Sequence, residues 1–225
     1  MAGLRLDLHV HSLHSPDSSL SVGTIVTNLA ARGLNGFALT DHNSTAGHAE
    51  LAAWQAKVPE LILVPGVEVS TVEGHLLLYG VRTAPSAGRP VAETIAWARA
   101  QGAVPVLAHP FRRSHGVGRT VAESVSVSAI ETMNGHNSPR ANRRAAAVAS
   151  FRKLGSTGGS DVHKLSDLGR AYTELPEGIS TVDGVLEAIR TGRSRAAGRT
   201  LDFPGRVRTE WRTVVLRLRR GLRPI

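Results

Sequence analysis

The sequence has no cysteine, few aromatic residues and no long apolar run. Without cysteine, neither a disulfide framework nor a thiolate metal site can form, so any metal ion must be held by nitrogen and oxygen ligands. Aromatic residues make up only 4% of the chain, which leaves few surfaces on which single-stranded nucleic acid could stack its bases. Because no segment resembles a signal peptide or a spanning helix, we expect a cytoplasmic protein without a transmembrane segment.

Positive charge is abundant and unevenly placed. The 225 residues include 27 basic and 18 acidic ones, and arginine dominates residues 190–223, where only Asp202 and Glu210 oppose it. Such a segment is typical of a solvated tail, or of a surface that binds nucleic acid or anionic lipid. We therefore expect one domain with its associated C-terminal segment over residues 1–192, followed by a basic tail over residues 193–225.

The basic tail also carries an apolar stripe. A short helix is predicted at about residues 210–220, and Trp211, Val214, Val215 and Leu218 would share one of its faces. We expect this face to pack on the outside of the domain, because the stripe is short for a membrane anchor.

Short apolar segments alternate with amphipathic ones along the chain. Strands are predicted over residues 4–10, 36–40, 61–69, 75–81, 104–108, 129–133 and 156–160. Helices are predicted over residues 22–32, 46–57, 90–101, 139–154 and 182–191. This alternation indicates an α/β fold with a mostly parallel sheet, either open or closed into a barrel.

Residue types that bind metal ions lie at the ends of nearly all these strands. They are Asp7-x-His9-x-His11, Asp41-His42, Glu68, His75, His109 and Asp161-x-His163. The active sites of parallel barrels lie at the carboxyl ends of the strands, so these side chains are expected to converge. A single His-x-His pair is a weak signal, but so many ligand types at strand ends favour a metal centre.

The same motifs, in the same order, resemble the PHP (polymerase and histidinol phosphatase) domain family. The resemblance rests on Asp7-x-His9-x-His11-Ser12, Ser15-Pro16-Asp17, Thr40-Asp41-His42, Gly66-x-Glu68, Gly74-His75, His109-Pro110 and Gly159-Ser160-Asp161-x-His163. These motifs cover residues 4–165, and the run from Gly169 to Thr173 extends the resemblance to about residue 192. The resemblance implies a distorted seven-stranded (β/α)7 barrel, with a metal site for two or three ions at the C-terminal ends of the strands.

The resemblance also implies which residues bind these ions. It places the first ion with His9, His11, Glu68 and Asp161, the second with Glu68 as a bridge, His75 and His109, and the third with Asp17, His42 and His163. A metal-bridging hydroxide held by Glu68, His9 and Asp161 would be the nucleophile. Some family members have a histidine where this chain has Asp17, and that difference favours a harder ion. The expected cofactors are two or three divalent ions of manganese, iron or zinc.

Other residues near these motifs have predicted supporting roles. Asp7 and Asp41 precede ligand histidines and are expected to accept their second N–H, which would fix the tautomers. His115 lies in a stretch rich in glycine, arginine and serine, which is expected to be a mobile substrate loop. Candidates for binding the substrate phosphate, with a solvated surface arginine as the alternative for each arginine, are Arg112, Arg113, Arg143, Arg170 and His115.

The charge of the predicted centre indicates its substrate. Six neutral imidazoles and three carboxylates around three dications leave a formal charge of about +3, which favours an anion. We expect hydrolysis of a small phosphomonoester: a nucleotide, a sugar phosphate or an amino-alcohol phosphate. The first alternative is a nuclease acting on DNA or RNA, such as a 3′–5′ exonuclease, because the basic tail could hold a phosphate backbone. The second is a non-catalytic regulatory barrel that binds metal, although no ligand of the pattern is missing.

Overall fold

A single mixed sheet forms the centre of the molecule. The computed structural model describes residues 3–202 and, in the tail, residues 204, 205, 207, 208, 211, 214, 215 and 218. The strands are β1 (Leu4–Val10), β2 (Gly36–Leu39), β3 (Ile62–Ser70), β4 (His75–Tyr79), β5 (Val104–Leu107), β6 (Ala129–Asn134), β7 (Gly155–Gly159), β8 (Ala171–Leu175) and β9 (Arg195–Gly198). Their order in the sheet is β7-β6-β5-β4-β3-β2-β1-β8-β9. The seven predicted strands are thus confirmed as β1 to β7, and β8 and β9 are added to them.

The direction of the strands decides which strand ends lie at the same edge of the sheet. Strands β1, β2 and β3 pair in parallel, as do β5, β6 and β7. Strand β4 pairs antiparallel with both β3 and β5, and β8 pairs antiparallel with β1. The first residue of β4 therefore lies at the same end of the sheet as the last residues of its neighbours.

The two halves of the sheet curl towards each other, so that β7 lies beside β1 and β8. The backbone N–H of Asp161 donates to the carbonyl of His9 over 2.8 Å, and Val10 forms a parallel bridge with Val162. The N–H of Gly158 donates to the hydroxyl of Thr173 over 2.8 Å. These bonds nearly close the sheet into a barrel, so the α/β barrel class expected from the sequence is confirmed.

Six α-helices connect the strands within the described part of the chain. They are α1 (Val22–Asn28), α2 (His48–Lys57), α3 (Val91–Ala100), α4 (Gly118–Ser124), α5 (Pro139–Phe151) and α6 (Val182–Arg190). Serine or threonine side chains cap α1, α5 and α6 by accepting a backbone N–H of the first turn. The predicted helix over residues 22–32 ends as a 3-10 turn at Ala30–Arg32, and α4 was not predicted.

The apolar core lies in layers on both sides of the sheet. One cluster fills the barrel interior and is covered by α6, and it contains Leu8, Val64, Val106 and Val185. Two further clusters lie between the sheet and the other helices, and Val10 belongs to one of them, with α1 and α2. The pairing of β1 with β2 is irregular between Asp7 and Val10. Because of this irregularity, the strict alternation expected along β1 breaks just before the metal-binding motif.

The last strand of the sheet, β9, lies a few residues beyond residue 192, at Arg195–Gly198. Strand β9 pairs with β8, while the division into residues 1–192 and 193–225 stays a prediction. Most of the predicted tail helix lies outside the described residues, although those described between 204 and 218 are helical. Trp211 is 71% exposed and Leu218 57% exposed, so the apolar face does not pack on the barrel as expected. Among the described residues, no helix is long and apolar enough to cross a membrane.

Gly159 lies where β7 contacts β1, so a substitution there tests whether the barrel closes at these two strands. An alanine Cβ at this position would lie 2.3 Å from the Cβ of His9 and 2.6 Å from its backbone nitrogen. We expect Gly159→Ala to lower the free energy of unfolding by about 3 kcal/mol, because the overpacked strands cannot separate without opening the barrel. Denaturant unfolding would measure this loss.

Gly184 provides the control for this substitution. It lies in the first turn of α6, where an alanine Cβ would meet side-chain atoms no closer than 3.2 Å. Gly184→Ala should leave stability unchanged or raise it slightly, by up to about 1 kcal/mol. If Gly159→Ala were as stable as Gly184→Ala, the close packing of β7 on β1 would be wrong.

Candidate metal centre

The nine predicted ligands come together at one end of the barrel and are buried. None of them is more than 8% exposed: His9, His11, Asp17, His42, Glu68, His75, His109, Asp161 and His163. They come from β1 and the loop that follows it, from just beyond β2, β5 and β7, from within β3, and from the start of β4. The reversed direction of β4 is what brings His75 to the same end as the others.

Glu68 lies at the middle of this group. Its Oε1 is 2.9 Å from both His75 Nδ1 and His109 Nε2. Its Oε2 is 3.2 Å from His9 Nε2 and 3.3 Å from His11 Nε2. The two carboxylate oxygens therefore face different imidazoles, which is the arrangement expected of a bridging ligand.

Asp17 forms a second focus beside Glu68. Its Oδ2 is 3.0 Å from His163 Nε2 and 3.2 Å from His42 Nε2. The Nδ1 of His42 is in turn 3.2 Å from Glu68 Oε2. The three residues predicted for the third ion are thus adjacent, and His42 connects them to the rest of the centre.

The donor atoms at this end lack the partners that buried polar atoms need. Seven of the ten buried side-chain nitrogen and oxygen atoms without a hydrogen-bond partner, among the described residues, belong to the predicted ligands. Potential ligand atoms of His9, His11 and Asp161 lie within 4.8 Å of one another, as do those of His42, Glu68 and His75. Unpaired buried donors and acceptors are costly, so the residues fit a cluster of divalent ions that would coordinate them.

The charges of the centre also suit metal ions. Burial would raise the pKa of Glu68, but His9, His75 and His42 hold it well below its usual value. Burial and the nearby Arg112 cation lower the pKa of His109 to about 3. Burial opposes the charged form of His11, yet Asp161 and Glu68 raise its pKa to about 10. The lowered pKa values of Glu68 and His109 favour the deprotonated forms that bind metal, whereas an ion at His11 would compete with a proton.

The sequence did not reveal Glu131, which lies behind His9. Its Oε1 is 2.9 Å from His9 Nδ1, and its Oε2 accepts a 2.7 Å hydrogen bond from the backbone of His109. Glu131 lies in the middle of β6. A search for ligand types at strand ends, which identified the other residues, therefore does not detect it. A buried acid within an apolar strand was the signal that could have found it.

Asp7 and Asp41 do not contact imidazole nitrogens, in contrast to their expected role. Asp7 accepts hydrogen bonds from the backbone N–H groups of Ser160 and Gly169, and burial raises its pKa to about 6. Asp41 accepts from the N–H and the hydroxyl of Ser12. Asp7 also accepts from the backbone N–H of His9, at 3.3 Å, so both carboxylates support the backbone that carries the predicted ligands and not their rings.

The structure separates the arginine candidates. Arg112 contacts Asp161 through a short ion pair, and the oxygens of Asn134 and Asn137 accept from the same guanidinium. Arg170 lies 3.5 Å from Asp167, beside the centre. Arg113 and Arg143 are exposed, and their side chains form no hydrogen bond or ion pair within the described chain.

Two histidines outside the predicted ligand set border the centre. His115 stacks on His75 at a centroid distance of 4.6 Å. His136, to which the sequence gave no role, stacks on His163 at 5.7 Å, and its Nε2 is 3.3 Å from Asp167. The rim of the centre thus carries imidazoles as well as Arg112.

Barrel and centre together define an α/β barrel whose buried side chains suit divalent metal ions and offer only nitrogen and oxygen donors. The PHP domain family matches residues 7–145, and the PHP-associated family matches residues 139–194. The chain belongs to the PHP domain family, as its motifs indicated. No curated protein is similar enough in sequence to match it.

Solved structures with the same fold have little sequence identity to this chain. A two-domain protein containing a predicted PHP-like metal-dependent phosphoesterase, from Bacteroides vulgatus, has a TM-score of 0.70 and 22% identity over 93% of this chain and 69% of that one. PsfC from Pseudomonas syringae has a TM-score of 0.69 and 18% identity over 99% of both chains. The lesion-specific endonuclease EndoQ from Pyrococcus furiosus has a TM-score of 0.68 and 19% identity over 88% of this chain and 59% of that one. At this identity the likeness shows the fold alone.

If Glu68 bridges two ions, its replacement should cost the centre more ions than the replacement of any other predicted ligand. We expect two or three ions per chain when the protein is saturated with Mn²⁺, Fe²⁺ or Zn²⁺, because nine ligands are too many for one ion. Glu68→Ala should bind fewer ions than either Asp17→Ala or His75→Ala, since its loss leaves two positions under-coordinated. Elemental analysis of the four proteins would measure both effects. A wild-type protein with at most one ion, or equal losses in all three variants, would contradict the assignment.

Proposed function

We propose that the protein is a metal-dependent phosphoesterase that hydrolyses a small phosphomonoester. The observation that carries this proposal is the group of nine buried nitrogen and oxygen ligands with the guanidinium of Arg112 beside it. Bound divalent ions would supply Lewis acidity toward phosphoryl oxygens and a water of lowered pKa as the nucleophile. The ligand roles of the nine residues, including Glu68 as the bridge, belong to this proposal.

Arg112 is the best candidate to bind the phosphate among the four arginines. Its side chain is 24% exposed, while Asn134 and Asn137 hold the guanidinium in place. A planar guanidinium held in this way can form charge-assisted hydrogen bonds to phosphoryl oxygens with little loss of side-chain entropy. His115 is exposed and stacks on His75, and we assign it contact with the leaving group.

The burial of the ligands favours a terminal phosphate over an internal one. His42 and His163 are the most exposed ligands, and each is only 8% exposed. A terminal phosphate can enter a narrow opening, whereas a phosphodiester within a strand brings two nucleosides with it and needs an open groove. The nuclease alternative is supported by the similar fold of an endonuclease and by the basic tail.

A substrate screen separates the two functions. With Mn²⁺ or Zn²⁺ supplied, we expect phosphate release from nucleotides, sugar phosphates or amino-alcohol phosphates, and little cleavage of short DNA or RNA oligonucleotides. Phosphate release and gel analysis of end-labelled oligonucleotides would measure these activities. Metal-loaded protein that cleaved oligonucleotides but released phosphate from none of the monoesters would support the nuclease.

Arg112 provides a test of how the phosphate is bound. Arg112→Ala should lower kcat/KM for the best monoester by about 10- to 100-fold, because charge-assisted hydrogen bonds to the phosphoryl group are lost. Its metal content should stay that of the wild type. The matched control is Arg82→Ala, since Arg82 is exposed beyond the end of β4 that faces away from the centre. A metal-loaded Arg112→Ala enzyme as active as Arg82→Ala would refute this role.

A further inference from the structure

Glu131 is a buried carboxylate that contacts two predicted ligands. One of its oxygens faces the ring of His9, and the other accepts a hydrogen bond from the backbone of His109. It is 1% exposed, within β6. Its Oε1 lies 2.9 Å from His9 Nδ1, and its Oε2 accepts hydrogen bonds from the N–H of His109, at 2.7 Å, and from the side chain of Asn134, at 3.0 Å. No Arg or Lys side chain forms an ion pair with Glu131 among the described residues, so its direct partners are those of the centre.

The two ring nitrogens of His9 face opposite sides. Nε2 lies 3.2 Å from Glu68 Oε2 and 3.7 Å from Asp161 Oδ1, while Nδ1 faces Glu131. A neutral imidazole can offer a lone pair at Nε2 only when its proton is on Nδ1. A carboxylate that accepts from Nδ1–H selects this tautomer and holds the plane of the ring.

The other oxygen of Glu131 acts on the backbone of His109. This residue has a φ of +27°, which lies in the left-handed region that non-glycine residues rarely adopt, and Pro110 follows it. The hydrogen bond from its N–H to Glu131 ties this backbone in place. In this conformation the imidazole of His109 reaches Glu68, with 2.9 Å between Nε2 and Oε1.

We infer that Glu131 is a positioning residue of the centre, which fixes the Nδ1–H tautomer of His9 and the backbone of His109 and so raises the affinity for metal ions. This inference rests on the proposal that the centre binds metal. Glu131 is not itself proposed as a ligand, because both of its oxygens already accept hydrogen bonds and its contact with His9 is on the side of the ring away from Glu68. A single carboxylate would thereby support residues assigned to two different ions.

Glutamine is the informative replacement because it keeps the shape but not the acceptors. If its amide oxygen faces His9, its NH₂ group faces the N–H of His109, and two donors oppose each other. If the amide is flipped, its NH₂ group faces His9 Nδ1 and selects the wrong tautomer. Either orientation should disturb one of the two ligands.

The first measurement is the affinity for Zn²⁺ in a competition titration with a chromophoric chelator. Glu131→Gln should bind Zn²⁺ about 10- to 100-fold more weakly than the wild type, as expected for loss of a carboxylate behind a ligand histidine. The control Glu187→Gln removes an exposed carboxylate that pairs with Arg190 on α6, and its affinity should be unchanged. Thermal unfolding of the metal-free proteins would establish that both variants fold. A folded Glu131→Gln variant with wild-type affinity would overturn the inference.

The second measurement uses the Zn²⁺-loaded wild-type protein, so it does not depend on the variant folding. In ¹⁵N-histidine NMR spectra, assigned with His9→Gln, His9 should give a downfield, slowly exchanging Nδ1–H signal. A His9 that carries its proton on Nε2 would overturn the inference. Wild-type protein that bound no Zn²⁺ would overturn both this inference and the proposed function. If Glu131→Gln bound Zn²⁺ more weakly but the wild-type protein hydrolysed no phosphomonoester, the positioning role would be supported and only the proposed substrate would be refuted.

Discussion

The structure depends on the contact between one buried carboxylate and the imidazoles around it. Glu68 is 1% exposed, and nitrogen atoms of five histidines lie within 3.3 Å of its oxygens: His9, His11, His42, His75 and His109. Two carboxylate oxygens cannot satisfy so many ring nitrogens, and buried polar atoms without partners cost free energy. Divalent cations can satisfy carboxylate and imidazole lone pairs together, which is why the proposed metal cluster fits this end of the barrel.

The topology of the sheet serves this contact. The reversed strand β4 starts at the end of the barrel where β3 finishes, and the short turn at residues 71–74 connects the two strands. Gly74 makes this short turn with a φ of +151°, and a Cβ there would lie 2.7 Å from backbone atoms of His115 and Val117. Glu68 and His75 are therefore held close together by local chain geometry, whereas Asp161 and His163 reach the same point only because β7 returns to β1.

The fold and the convergence of the ligands were predictable because each depends on a local pattern. Apolar runs predicted β1 to β7. Because the ends of parallel strands meet at one edge of a sheet, we could also predict that residues more than 100 positions apart, such as His9 and Asp161, lie close together. The roles of Asp7 and Glu131 were not predictable in this way. Alternation along β1 fails at an irregularity in its pairing with β2, and a mid-strand acid such as Glu131 faces the barrel interior only once the sheet has closed. Helix α4 could not be predicted from the sequence because it begins at Gly118 and lacks an apolar stripe.

The segment around His115, whose mobility stays a prediction, is hydrogen-bonded to the centre. The N–H of His75 donates to the carbonyl of His115 over 2.9 Å, and the N–H of Gly118 donates to the carbonyl of Pro110 over the same distance. One short stretch of backbone thus carries His109, Arg112 and His115, and its position is coupled to a ligand on β4. If the predicted ligands supply the chemistry, the residues around them must select the substrate. Under the proposed function, the exposed side chains of this stretch, such as Arg113 and His115, are the ones whose replacement would change the choice of phosphate. They can vary while His109 and Arg112 keep their contacts with Glu68 and Asp161.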